Sequence, residues 1–502
     1  RVTWTNATGL VTQLRRSKSP LELEAMRESG RITRVALDDT LAARMELFNS
    51  RNRPVRVRPA GAVVLDGYLV FDGAVTLELK RGDYKFSIEA GPEYQTRQGH
   101  FRIERHAEDE TEIVLSRRVN MRNEGWWAAD LDVTQDSENL PLLMRAAGVD
   151  FAPLIGETNL QGKCRKLKST PTGNLTAPAF GRWGSLDFRH GGGQLLFGLE
   201  ALPAVCDFAA GDSSLKGFDQ TNDIETTRVA LSPFGWDLPL WIASGKLDAI
   251  SVIHRHALVD RVVDNEDWGR PRDKKFFPGS LGNGRWSESI YHHLLNCGIR
   301  IPCAAGSGSG TNGNPLGTNR VYAWIEGEFS PAAWLEALQA GQVMISNGPL
   351  LRTKVEGFPP GEVFLLAPGE SREFEIALHL SYYERAAVEY LEILQNGEVV
   401  HQIRLNELAK SQGKLPKIKF DESGWFAVRA MTNNTSNYQF ASTGPYYVES
   451  NSQPRISRRS VQFFLDWLDA ADAEFAEDKS HQAEIAVARN FWQQLQVKAN
   501  AE

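Results

Sequence analysis

The residues best suited to chemistry form the run His254-Arg255-His256, set directly after the apolar stretch Ala249 to Ile253. That stretch reads as a strand, and alternate strand residues share a face, so both imidazoles are expected to point one way. Imidazole titrates near neutral pH and its neutral ring binds metals, so the pair suits proton transfer or metal ligation. The plainer reading, hydrogen bonding at the rim of the fold, stands beside it. His292-His293 lies in a helix-like run where neighbours diverge, so only one of them could serve a site. His190, before Gly191-Gly192-Gly193, reads as loop. Gly306, Gly308, Gly310 and Gly313 could cradle a phosphate, but no Gly-Lys-Ser/Thr follows them. Lys163, Arg165, Lys166 and Lys168 make a basic patch beside Cys164, read as a solvated loop. Trp126-Trp127 and Trp236 suit either a pocket wall or the core.

These residues sit in a chain of 502, against roughly 100–150 for a typical domain, so two to four domains are expected. Hydrophobic residues at 42% and charged residues at 24% exclude a largely disordered or fibrous protein. A net charge of -7 leaves no global positive field to attract nucleic acid or anionic lipid, so no nucleic-acid partner is expected. No apolar run approaches the ~20 residues that cross a bilayer, so a soluble protein without a membrane span is expected. The four cysteines, Cys164, Cys206, Cys297 and Cys303, are too sparse for a disulfide framework. Cys297 and Cys303 read as buried apolar residues, with a bridge or a metal site as the alternative. The start at Arg1 reads as a processed or trimmed end, compatible with export after removal of a signal peptide. Asn6-Ala7-Thr8 and Asn174-Leu175-Thr176 match the glycosylation pattern, which has meaning only in a secreted protein.

The elements that must position the candidates divide the chain in five. Residues 1–50 carry a helix signal: Ser19 as N-cap, Pro20 at the first position, then acidic residues. Gly30 closes that helix, or Ile32, Val35 and Ala36 carry it toward Met45. Residues 51–118 alternate in the strand manner, with Val63, Leu65, Leu69, Phe71, Val75, Leu77 and Leu79 broken by Asp66-Gly67 and Asp72-Gly73, which predicts an antiparallel β-sandwich. Residues 119–349 alternate strand-like runs (Phe151 to Ile155, Gln194 to Phe197, Ala249 to Ile253) with helix-like ones (Leu140 to Ala147, Pro331 to Ala340), which predicts a parallel α/β barrel. Residues 350–450 return to strands and predict a second sandwich, with Asn396-Gly397 as a hairpin turn. Residues 451–502 are helical: Val461, Phe464, Leu465, Leu468 and Phe475 share one face, and Ile485, Ala488, Trp492 and Leu495 another. Both stripes are expected to pack on the body.

Several segments of the middle region resemble the PHP-type metallohydrolase superfamily, in its CehA/McbA branch. They are Gly125 to Thr134, Gly148-Val149-Asp150-Phe151, Trp241 to Asp248, Tyr291 to Ser309, and Gly341 to Leu350 with Ser346-Asn347-Gly348-Pro349. The resemblance covers most of residues 51–450 and implies a distorted (β/α)7 barrel, flanked by β-sandwich domains. It further implies divalent metals at the C-terminal ends of the strands, where a bound water is activated. The family's Asp-Leu-His-x-His reads here Asp130-Leu131-Asp132-Val133-Thr134, and its Thr-Asp-His-Asn reads Gly156-Glu157-Thr158-Asn159. A later His-Pro corresponds to Ser232-Pro233, and Gly-Ser-Asp-x-His to Gly306-Ser307-Gly308-Ser309-Gly310. Four expected histidines thus read Thr134, Thr158, Ser232 and Gly310, and hydroxyls are poor zinc ligands.

The leading expectation is therefore a catalytically degenerate PHP-type homologue, kept for binding a protein or small molecule or for structural work, with no cofactor. The alternative is an active hydrolase of small esters, carbamates or phosphoesters. It would use Asp132, Glu157, His254 and His256 as catalytic residues, with Asp132, Glu157 and His256 holding one Zn or Mn ion whose hydroxide attacks the substrate.

Overall fold

The computed structural model describes residues 31–36, 41–104, 109–135, 138–167, 173–189, 191–201, 204–220, 226–311, 313–382 and 386–502. The helix expected from Ser19 and the pattern at Asn6 lie outside these residues. The chain is mixed α/β, mostly sheet with few helices, and forms two compact units. The first comprises residues 1–121 and 137–150, the second residues 122–136 and 151–502.

In the first unit, Arg31–Ala36 forms a strand, where continuation of a helix toward Met45 was one expectation. It pairs antiparallel with Ala74–Leu79 and parallel with Asp109–Glu112. The β-branched Ile32, Thr33 and Val35 suit that ladder better than a helix. Met45 sits in the next strand, Ala42–Asn49, at the centre of a five-stranded sheet with Ala62–Leu65, Tyr68–Asp72, Gly82–Glu89 and Arg97–Ile103. Alternate residues of both sheets, among them Met45, Phe71, Leu77 and Ile88, bury into one core, as period-two patterning requires. The strands thus begin before residue 51. The helix Leu140–Ala147, read from sequence as part of the middle region, belongs to this unit. Its Leu143 and Ala146 bury against Ala42, Tyr68 and Val70. Pro141 opens the helix, and Gly148 closes it at φ 65°, donating to the carbonyls of Arg145 and Met144.

The second unit is built on one continuous sheet. Trp126–Ala129 pairs parallel with Phe151–Leu160, which pairs parallel with Ala179–Phe188. Two antiparallel steps follow, through Gln194–Phe197 to Thr227–Ala230. Parallel pairing then resumes through Ala249–Ile253 to Cys303–Ala305. The last strand returns to the first: Leu131 N donates to Ala305 O, Ser309 N to Asp132 O and Thr134 N to Ser309 O, with a parallel bridge at Val133 and Ser309. Gly306 and Gly310 serve this closure. A Cβ on Gly306 would lie 2.5 Å from that of Asp132, and one on Gly310, at φ 85°, would lie 2.8 Å from Gln135 N. The glycine-rich run is thus a backbone contact.

Trp126–Ala129 also pairs antiparallel with Arg320–Trp324, and that strand with Val343–Ser346. Val343–Ser346 pairs with Phe440–Thr443, so several strands after residue 350 continue the same sheet, while Leu350–Val355 with Ile376–Ser381 and Arg372–Phe374 with Ile418–Phe420 form separate pairs. Asn396 and Gly397, both at positive φ, make the hairpin turn between Val388–Gln395 and Glu398–Arg404. The helices Arg458–Glu474 and Lys479–Val497 bury Val461, Phe464, Leu468, Ile485 and Trp492. Trp467 Nε1 donates to Trp236 O and Trp492 Nε1 to Pro239 O, fixing both helices to the body of this unit. Among the described residues, no helix is long and apolar enough to cross a membrane.

Candidate functional site

The C-terminal ends of the circuit strands surround a cavity of about 450 Å³. Its lining includes Thr134, Thr158, Ser232, His254 and His256, which approach it from four strand ends of the second unit. Positions far apart in sequence are thus gathered where parallel strands place functional side chains.

Asp132 is buried, and both its oxygens are taken by Arg255: Nε to Oδ2 at 2.9 Å and Nη2 to Oδ1 at 2.8 Å. This is a bidentate charge-assisted pair. Asp130, fully buried two residues earlier, accepts from the N–H groups of Asp132, Ser307 and Gly317. Burial raises its pKa to about 6, opposed by those hydrogen bonds. It ties the 130–132 segment to the 307–317 loop.

The two histidines do converge. Their ring centroids lie 5.1 Å apart, and Phe234 packs at 5.1 Å from His254 and 5.4 Å from His256. They lie in a turn just beyond the strand, which Asn319 holds through Nδ2 hydrogen bonds to the carbonyls of His254, Ala257 and Gly306. Ser287 Oγ donates to Asn283 O, so it accepts from His254 Nε2–H at 3.0 Å; His254 Nδ1 then accepts from the His256 amide. Both ring nitrogens of His254 are therefore engaged inside the protein. Burial, aided by the charges of His256 and Arg255, holds this group well below its ordinary pKa. His256 donates from Nδ1 to Asn265 O at 3.1 Å, which leaves Nε2 with a lone pair. Burial first and the Arg255 charge second push its pKa down to about 4, so the ring is neutral at pH 7.

Glu157 does not join them. The hairpin pairs Glu157 with Lys166, Asn159 with Cys164, Thr158 with Arg165 and Leu160 with Lys163. Strand alternation therefore puts Thr158, Leu160, Lys163 and Arg165 on the cavity side and Glu157 on the other. Glu157 meets Lys166 Nζ at 2.6 Å instead. Asn159 Nδ2 donates to Val205 O and Phe208 O, and Cys164, which also touches the cavity, is bridged to Cys206. The sequence offered no signal for this single bridge, and Cys297 and Cys303, for which a bridge was the alternative, are free and buried.

Thr134 donates to Ser309 O, and its hydroxyl lies 2.7 Å from that of Thr311. His292 and His293 diverge as expected: His292 packs on Trp425, His293 on Phe463 and Ser460, and neither lines this cavity. Trp126, Trp127 and Trp236 are packing residues. His190 and Lys168 lie outside the described residues.

The implied metal cluster does not fit this donor set. The family position at Asp132 is held by a guanidinium, Glu157 is on the wrong face, and His254 has no free nitrogen. Among the described residues, no three His, Cys, Asp or Glu side chains gather as a metal site. Sequence reasoning passed over Arg255, quoted between two histidines, and Asp130; their identity alone carries no signal of an internal ion pair or of a loop clamp.

No protein-family model matches the chain, and no curated protein does. Among solved structures, the β-glucuronidase of Parabacteroides merdae is 11% identical at a TM-score of 0.16, covering 84% of this chain and 64% of that one. Bacteroides uniformis β-glucuronidase 3 is 10% identical at 0.17, covering 86% and 63%. The N-terminal four Ig domains of Dscam1 isoform 8.4 are 7% identical at 0.15, covering 85% and 70%. The chain spans under two thirds of either glucuronidase, and likeness at these scores carries no argument.

Proposed function

We propose that the chain is a catalytically degenerate PHP-type protein whose strand-end cavity binds a small molecule without a metal. The carrying observation is the Arg255–Asp132 pair, in which a fixed guanidinium sits on the carboxylate that would otherwise hold a cation. The barrel reading is supported by the circuit of seven strands, mostly parallel, and by a cavity at their C-terminal ends. Thr134, Thr158 and Ser232 then stand where the resemblance expects imidazoles, and they offer hydroxyl hydrogen bonds to a ligand. The Cys164–Cys206 bridge suits an oxidising compartment, in keeping with export.

The hydrolase alternative asks Asp132, Glu157, His254 and His256 to serve together, and the hairpin register separates Glu157 from the rest. Metal content per chain of the purified protein, with assays on nitrophenyl esters and phosphates, tests the choice. The degenerate reading expects substoichiometric metal and no turnover. Stoichiometric zinc or manganese that disappears in His256→Gln and Asp132→Asn would overturn it.

A further inference from the structure

We infer that this cavity takes an amphipathic anion: an acid group, carboxylate or sulfonate, on an aromatic or bulky apolar body. The inference rests on the small-molecule reading above and adds the ligand's class. Two features carry it. The first is the cavity face of the 160–166 hairpin, where cross-strand pairing sets Lys163 beside Leu160 and Arg165 beside Thr158. Lys166, on the other face, is neutralised by Glu157; among the described residues neither Lys163 nor Arg165 has an ion-pair partner. Among the described residues that line the cavity, the carboxylate on the opposite rim is Asp267, which already accepts from Asn265 Nδ2. Asp132 is consumed by Arg255. Two free cations against one carboxylate favour an anion.

The second feature is Trp268. It is 44% exposed at the cavity rim, at φ +68°, a left-handed conformation that a bulky residue adopts only when its surroundings hold it there. Its ring stands edge-on to Phe188 at 5.8 Å, and Phe188, Leu186 and Phe234 continue the apolar wall inward. An exposed aromatic held against strain beside an apolar wall suits stacking on a flat apolar body. The body would rest on the exposed face of Trp268 and along the Phe188 wall, with its acid group at the hairpin cations.

Two fluorescent probes that share one body test this: 1-anilinonaphthalene-8-sulfonate and its uncharged counterpart N-phenyl-1-naphthylamine. Each is titrated into the intact protein, into Lys163→Gln/Arg165→Gln, and into Trp268→Leu, with thermal melting to confirm that each variant is folded. The expected result is saturable one-to-one binding of the sulfonate. The double hairpin variant should weaken it roughly ten- to a hundredfold, the scale of one or two charged hydrogen bonds. The neutral probe should change less than about twofold in that variant, and Trp268→Leu should weaken both probes. Sulfonate binding untouched by the hairpin variant, with Trp268→Leu still weakening both probes, would overturn the anion assignment and leave the pocket standing. Failure of both probes to saturate, or indifference of both to Trp268→Leu, would overturn the small-molecule reading along with it.

Discussion

Arg255 grips Asp132 with Nε and Nη2 at 2.9 and 2.8 Å, and Asp132 is only 1% exposed. A carboxylate this deep needs a compensating partner, and the guanidinium fixed on it is that partner. Arg255→Ala should therefore destabilise the second unit by about 3–5 kcal/mol, the scale of leaving a buried charge unpaired. Adding Asp132→Asn should recover most of the loss, since a neutral amide is far cheaper to leave unpartnered. Denaturant titration followed by tryptophan fluorescence checks both; equal midpoints for Arg255→Ala and the unmodified protein would remove the pair from the account.

Acid should unfold the second unit steeply. His254 is buried and His256, His292 and His293 are half-buried; all four are held neutral, with pKa values lowered from 6.5, to about 4, 3 and 4 for the last three. The unfolded chain binds these protons first, so their stabilisation is present above 6.5 and is lost as pH falls through that window toward 4. Asp130 acts with the opposite sign: its pKa is raised to about 6, so the folded state binds its proton first and gains as pH falls below 6. Asp248, raised by burial, and His481, raised against burial by Asp237, act in the same direction as Asp130, but the four lowered imidazoles outnumber these groups, so unfolding near pH 5 takes up protons and stability falls with pH. His256→Gln should reduce that slope by about one proton. A stability that is flat between pH 6.5 and 4.5 would contradict the burial of these rings.

The Cys164–Cys206 bridge closes a loop of sequence separation 42 and anchors the hairpin strand that carries Lys163 and Arg165. The double variant Cys164→Ala/Cys206→Ala should lose about 2–4 kcal/mol, a chain-entropy scale for a loop of that size. It should also weaken the sulfonate probe more than the neutral one, because the cations lose their fixed position while the Phe188 wall does not. Reductant should reproduce the effect in the unmodified protein.

Local pattern carried much of the architecture. Period-two alternation in Leu69 to Leu79 and the Asn396-Gly397 turn gave strands where they stand, and the stripes ending in Trp492 gave the packed tail helices. Pairing partners were not legible, because they are set by contacts distant in sequence. The strands after residue 350 read as a separate sandwich, yet Val343–Ser346 joins Phe440–Thr443 in one sheet. Helix Leu140–Ala147 read as part of an alternating α/β run, yet its apolar face buries against Tyr68 and Val70. At the site, His254 and His256 converge, but through a turn beyond Ile253 and not through the strand alternation that their spacing suggested. The exclusion of Glu157 needed the register of a hairpin, since one residue of shift exchanges the faces. The role of Arg255 needed the fold itself.

Two ligand positions of the resembled family, Thr134 and Thr158, both line the cavity, so restoring imidazoles there is geometrically reasonable. Thr134→His/Thr158→His alone should nevertheless gain little affinity for zinc or manganese. A divalent ion placed beside Asp132 would share that carboxylate with the Arg255 guanidinium, and the like charges at contact distance would oppose binding. Removing the guanidinium as well frees both Asp132 oxygens and supplies the ion with the countercharge that Arg255 now provides. The triple variant Thr134→His/Thr158→His/Arg255→Ala should therefore bind metal at least tenfold more tightly than the double variant, and the metal should recover the stability that Arg255→Ala loses. Calorimetric titration of zinc into each, alongside thermal melting with and without metal, reads both effects. A double variant that already binds as tightly as the triple would mean that Arg255 does not occupy the cation's place.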